Sequence, residues 1–302
     1  MSDKGWMTRY FRESGFMGCE YTFGNCFIWS PSYVARVLEY NGFCVVKWGT
    51  GDDAMYSFPA GNGDLRDVIT AIIKDSVCYK KPFALTGITD EAKKRLDSAF
   101  PDMFDYIQRR DKSDYIYLSE KLISLSGKKL QAKRNHIARF KDNKNWGYEP
   151  ITRENIDECL EMSRKWRNEY GERENMDAEF NAVEMAIENF FELDFDGGLL
   201  RLNGEVAAYS IGEPLDKNTY VIHIEKAYRD IQGAYPMINQ QFALRNCQNY
   251  TYVNREEDMG AEGLRRAKMS YHPEILLDKA HAVIKERFLS DFKRQCVNCG
   301  RA

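Results

Sequence analysis

The chain has 302 residues, 43% of them hydrophobic and 29% charged, with a formal net charge of -3. That balance suits one large globular domain or two of ordinary size, and it lacks the overall polycation that duplex nucleic acid selects, so no DNA partner is expected. No apolar run approaches the roughly 18–20 residues of a membrane-spanning helix, and the start Met1-Ser2-Asp3-Lys4-Gly5-Trp6 has no signal-like stretch, so a cytoplasmic location is expected, with peripheral membrane contact left open.

In chain order, Tyr33 to Leu38 and Phe43 to Trp48 read as hairpin arms around Asn41-Gly42. Asn-Gly accepts positive φ at both central positions of a two-residue turn. Ala54 to Phe58 is a third strand, and the loop Pro59 to Asp64 ends in a helix-starting Asp. Leu65, Val68, Ile69, Ile72 and Ile73 then recur at helical spacing. Pro82 to Gly87 is a strand, Thr89 caps a second helix, and Asp105 to Gln108 and Tyr115 to Leu118 close the unit as strands. Residues 128–141 are basic without an acid, and no Pro/Ser/Gly linker interrupts them, so a helix is expected to join two halves.

The second half repeats the grammar. Tyr148 to Ile151 is a strand, Thr152 caps a helix carrying Ile156, Leu160, Ser163 and Trp166 on one side, and another helix runs from Ala178 to Phe191. Leu199 to Leu202 and Val206 to Ile211 flank a second Asn-Gly pair, Asn203-Gly204. Thr219 to Ala227 is a long strand, and the loop Arg229 to Ala234 leads into a helix from Pro236 to Cys247. Tyr250 to Asn254, a helix from Ala261 to Met269, and a last strand from Ile275 to Ile284 complete the order. The expected division is 1–126, a connecting helix at 127–145, and 146–302.

Cys26, Cys44, Cys78, Cys159 and Cys247 are scattered through apolar segments, as reduced core thiols would be. Cys296 and Cys299 form a single C-x-x-C. Zinc wants four ligands and no second pair stands at suitable spacing, so no metal site is expected.

This order of elements resembles the Gcn5-related N-acetyltransferase (GNAT) fold. Two such units joined by a basic helix resemble the C-terminal domain family of phosphatidylglycerol lysyltransferase. Three segments carry the likeness: Asp114-Tyr115-Ile116-Tyr117 with Leu122 to Leu125; Gly127 to His136 with Phe140; and Asn254 to Gly260 leading to Gly263 to Lys268 and Tyr271-His272-Pro273. The resemblance implies an α/β (α+β) fold of two tandem GNAT-like units, each a mixed sheet flanked by helices, with the first unit the degenerate copy. It also implies a V-shaped opening in the second sheet that holds an activated carbonyl compound. The chain departs from the family in having no large membrane-embedded part, and from the phosphate loop of the fold in placing Gln232 where the first glycine belongs. Arg229 and Ala234 fit that loop, and Gly233 comes one place late.

Acyl transfer to an amine needs a base, donors for the oxyanion and sometimes an acid for the leaving group. Glu225 and His223 share a face of one strand, two positions apart. Either could be a polar residue satisfied by a hydrogen bond, or Glu225 could act as base or hold a cationic amine. Tyr271 is the candidate acid, weighed against simple packing. Lys268 suits a helix end without any function, and its place in the family segment suggests charge stabilisation or phosphate contact. Donor-binding candidates are Arg229, Gln232, Gly233, Ala234, Asn254, Arg255, Lys133 and Arg134, with Asp258 in the same loop. The expected activity moves an acyl group from aminoacyl-tRNA or acyl-coenzyme A to an amine or hydroxyl, with no cofactor required. The alternative is a non-catalytic binding protein that kept the fold and its cleft.

Overall fold

Both Asn-Gly pairs form the expected turns. Asn41 (φ 42°) and Gly42 (φ 83°) join β1 (Arg36–Tyr40) to β2 (Phe43–Trp48), with Tyr40 opposite Phe43. The computed structural model describes residues 1–77, 83–170 and 176–298. Cys78, Pro82 and Cys299 lie outside the described residues. Ahead of the hairpin, where the sequence pattern gives no element, stand α1 (Lys4–Ser14) and α2 (Phe23–Tyr33), so Tyr33 ends a helix rather than starting a strand. α2 is a poor helix by pattern, with Pro31 inside it and apolar residues all round. It forms because Thr22 caps it and its surroundings bury it.

The first half continues with β3 (Met55–Ser57), β4 (Ala60–Gly61), α3 (Leu65–Ser76), β5 (Ala84–Ile88), α4 (Asp90–Ala99) and β6 (Phe104–Gln108). Asp64 caps α3 by accepting from Arg66 N at 2.8 Å, and Val68, Ile69, Ile72 and Ile73 are buried as their spacing requires. Thr89 caps α4 by accepting from Ala92 N. Next come β7 (Asp114–Leu118), α5 (Ser119–Ser124) and the basic helix α6 (Gln131–Lys141), entered through a 3-10 turn at Lys128–Leu130.

The second half comprises β8 (Trp146–Pro150), α7 (Ile156–Tyr170), α8 (Met176–Glu188), β9 (Asp196–Leu202), β10 (Glu205–Pro214), β11 (Thr219–Ala227), α9 (Ala234–Asn246), β12 (Tyr252–Asn254), α10 (Glu262–Met269), β13 (Ile275–Leu277), β14 (Ala280–Ile284) and α11 (Glu286–Asn298). Thr152 sits in the turn before α7 and accepts from Glu154 N, so the helix proper starts at Ile156.

Two seven-stranded sheets result. The first runs β1-β2-β3-β5-β14-β6 with β4 on β2, and the second runs β13-β7-β12-β11-β10-β9-β8. Each sheet borrows from the other half of the chain. β7, expected to close the first unit, lies between β12 and β13 of the second sheet, and β14 enters the first sheet between β5 and β6. The expected single strand from Ile275 to Ile284 is therefore two strands in two sheets. Their crossing is tied by Lys279, whose ammonium meets Asp114 at 2.8 Å. One apolar cluster extends from the first sheet through α2 to α8 and one face of the second sheet. Another, with Tyr117, Phe140, Phe242 and Tyr271, fills the space under α5, α6 and α9.

Candidate active site

Each sheet contains one parallel pair. β3 and β5 match Ser57 to Thr86, and β11 and β12 match Thr219 to Tyr252 through Val221 to Asn254. Beyond Val221, β11 continues to Ala227 while β12 ends at Asn254, so the two strands part. The opening is bridged by side chains rather than left clear. Arg255 donates to Glu225 at 2.7 Å, and His223 Nδ1 meets Glu256 at 2.7 Å. Consecutive loop residues thus pair with the two residues that share a face of β11.

Glu225 is fully engaged, Oε1 by Arg255 and Oε2 by Asn239 at 2.9 Å. Arg255 lies over the rings of Tyr271 (4.8 Å) and Tyr117 (5.6 Å). Lys133, from α6, sits 4.0 Å from the centroid of the same Tyr271 ring. Its pKa comes down to about 8, through burial first and the Arg255 charge second, with Glu225 opposing. Burial pushes Tyr271 up, well away from ionisation. Two polar atoms here are buried without a hydrogen-bond partner among the described residues, Arg255 Nη1 and Asn239 Oδ1. A buried donor and acceptor left unpaired cost about 1–3 kcal/mol each, so such atoms call for an explanation.

Other candidates are occupied. Lys268 gives its three protons to the carbonyls of Arg255 (2.5 Å), Glu256 (3.2 Å) and Glu257 (2.5 Å), so it pins the loop that carries Arg255. Asn254 spends its amide on Met17 O and Asp114 and accepts from Glu256 N. Asp258 takes both Arg265 and the Tyr115 hydroxyl. Arg134 clamps the carbonyls of Leu125 and Gly127, finishing α5. Arg229 lies 5.4 Å over Trp166. Gln232 and Gly233 precede α9, whose first residue is Ala234. A Cβ at Gly233 (φ 85°) would stand 2.1 Å from His136 O, so this glycine lets α6 press onto the loop.

The sequence reading missed Asn239 and Tyr117. Asn239 is buried on α9, where Gln240, Gln241 and Asn246 are equally polar, so nothing in the local sequence singled it out. His223 is buried, and its second nitrogen meets Glu213 at 3.0 Å. Burial opposes its charge, yet the bonds to Glu213 and Glu256 push its pKa up to about 9.

Two mixed sheets flanked by helices, each with one parallel pair, define a tandem GNAT-like α/β protein. A sequence profile described as "Phosphatidylglycerol lysyltransferase, C-terminal" matches residues 11–279, and the chain belongs to that family. A crystal structure of a conserved protein of unknown function from Bacteroides thetaiotaomicron is 38% identical, with a TM-score of 0.90 over 94% of this chain and 97% of that one. L-PGS from Bacillus licheniformis shares the fold at 16% identity, with a TM-score of 0.65 over 96% of this chain and 95% of that one. An uncharacterized protein, MYCGA3080, from Mycoplasmoides gallisepticum is 25% identical over 173 residues, 55% of this chain; the chain spans about half the length of that relative, 54%. No helix of the described residues is long and apolar enough to cross a membrane.

Proposed function

We propose that the chain transfers an aminoacyl group from aminoacyl-tRNA to an amine or hydroxyl, at the cluster of Glu225, Arg255, Asn239, Tyr271 and Lys133. The observation that carries this reading is the pair of unpartnered buried atoms, Arg255 Nη1 and Asn239 Oδ1, beside a lysine whose pKa is brought down to about 8. A guanidinium proton that met a bound ester there would stabilise a tetrahedral oxyanion. Lys133 is partly neutral at physiological pH and can take the proton of the attacking group, since a base with a pKa near the working pH is the most effective. Tyr271, protonated and adjacent, supplies the leaving ribose oxygen with its proton. Glu225 holds Arg255 and Asn239 in place and is a positioning residue in this scheme.

Aminoacyl-tRNA is favoured over acyl-coenzyme A on three grounds. The opening beside β11 is closed by two side-chain pairs, where a pantetheine arm would have to lie. The backbone ahead of α9 is pressed by the His136 carbonyl, which disfavours an anion there. Lys128, Lys129, Arg139, Lys141 and Lys144 are exposed and form no ion pair among the described residues, so they offer a face to a polyanion.

The test incubates the protein with labelled aminoacyl-tRNA or acetyl-coenzyme A and a panel of amine and hydroxyl acceptors. Transfer should require the tRNA ester and fall about 100-fold or more in Lys133→Met and Arg255→Lys. Turnover with acetyl-coenzyme A alone would overturn the donor assignment. The bridged opening also favours a second reading, a binding protein with no turnover. Absence of transfer from every donor, with tRNA still bound, would select it.

A further inference from the structure

A cavity of about 290 Å³ lies at the other parallel pair, on the first sheet and away from the cluster above. It is lined by Ser57 and Thr86, register partners at the end of β3 and the middle of β5. Trp29 and Tyr33 stand one and two turns beyond Asn25 on α2 and form one wall, and Trp48 and Met55 contribute another. The volume is at the small end of the range for ligand pockets, roughly 300–1,000 Å³.

The inner end is ionic. Lys279 meets Glu20 at 2.5 Å and Asp114 at 2.8 Å, and Lys112 lies 3.5 Å from Glu257. Glu257 is the carboxylate held most loosely there, by Lys112 on Oε1 and by the Cys19 thiol, which donates to its Oε2 at 3.5 Å. Arg109 also reaches the cavity, but Asp111 takes its guanidinium at 3.1 and 2.8 Å. Burial first and Arg109 second lower the pKa of His281 and disfavour its charge. Lys268 acts on Glu257 and Asp114 as a third cation, so what singles out Glu257 is the length of its contacts, in a setting where buried charge seeks a closer partner. A metal at Cys19, Glu20 and Asp114 is a poor rival, since the Lys279 ammonium already occupies the place where their ligand atoms converge.

The loop that delivers Glu257 supplies a second observation. Glu256 (φ 55°) and Met259 (φ 52°) are both left-handed without being glycine, and Lys268 pins the carbonyls of residues 255 to 257. Backbone strain kept in place by several bonds marks positions where a side chain must be aimed. Glu257 is the residue aimed here, into the cavity.

We propose that this cavity binds a small primary ammonium on an apolar stem, with the charge beside Glu257 and the stem between Trp29 and Trp48. The indoles pack against the apolar stem while the carboxylate neutralises the charge. Lys112 competes with the ligand for Glu257. The inference concerns binding and stands whatever group the second sheet's cluster transfers.

Tryptophan fluorescence and calorimetry with phenethylamine, 2-phenylethanol and 3-phenylpropionate test it on the full chain. Phenethylamine should bind about tenfold or more tighter than the alcohol, the gain expected from one charge-assisted hydrogen bond, and the carboxylate should bind weakest. Glu257→Gln should weaken phenethylamine about tenfold or more, and Lys112→Met should tighten it. Equal affinity for amine and alcohol, preference for the carboxylate, or no saturable binding of the amine each overturns the proposal. Should Glu257→Gln fail to fold, Lys112→Met carries the test alone: unchanged or weaker amine binding there counts against it. None of these results depends on aminoacyl transfer, so the two readings fail separately.

Discussion

His223 ties three elements together, and its charge should be visible as a pH dependence of stability. The imidazole is fully buried between Glu213 on β10 and Glu256 in the loop after β12, at 3.0 and 2.7 Å. Asn25 of α2 adds a third contact to Glu256 at 3.0 Å. Its folded pKa of about 9 exceeds the ordinary value of 6.5. The folded state therefore binds the extra proton more tightly. The stabilisation is complete below pH 6.5 and is lost as pH rises through 9. At about 1.4 kcal/mol per pH unit, roughly 2 kcal/mol should disappear between pH 6.5 and 8. His281, its pKa lowered, acts below that window, and Lys133, with its folded pKa near 8 and its unfolded value at 10.5, adds stability with rising pH above it. Urea denaturation of the wild type and His223→Gln at half-unit steps isolates the contribution by difference, and the C–H resonance of the ring gives the titration directly. A ring that titrates at or below 6.5, or a variant whose stability declines with pH as steeply as the wild type's, would refute a buried imidazolium.

Gly233→Ala should destabilise the protein by about 2 kcal/mol or more, because it adds a Cβ at positive φ against the His136 carbonyl; a denaturant midpoint equal to the wild type's would mean that α6 shifts freely. Lys279→Met leaves Glu20 and Asp114 buried without their ammonium and should cost about 3–5 kcal/mol by thermal or urea unfolding. A loss below about 1 kcal/mol would show that the crossing of β7 and β14 does not depend on that ion pair. Lys268→Met should lower stability by about 3 kcal/mol and reduce aminoacyl transfer, since the carbonyls of residues 255 to 257 lose their shared donor. Full transfer in that variant would detach the loop's conformation from the position of Arg255.

Local chemistry made much of the architecture readable in the chain. Asn41-Gly42 and Asn203-Gly204 demanded two-residue turns, Asp64 and Thr89 announced helix starts, and the apolar spacing after Leu65 set the buried face of α3, because each signal acts within a few residues. Arg255, Tyr271 and Lys133 drew notice through their places in family segments, and Glu225 through its place on one face of a long strand. Pairing across the molecule was not. Nothing in Tyr115 to Leu118 or Ile275 to Ile284 says which sheet a strand joins, because alternation specifies a face and not a neighbour. Only the folded chain sends β7 and β14 to opposite sheets, turns Arg134 and Asn254 into structural clamps, and finds Asn239 beside Glu225. Only it opens a cavity in the half that the sequence marked as degenerate. Such contacts join residues far apart along the chain, and their energies depend on burial and geometry that exist only once both sheets are assembled.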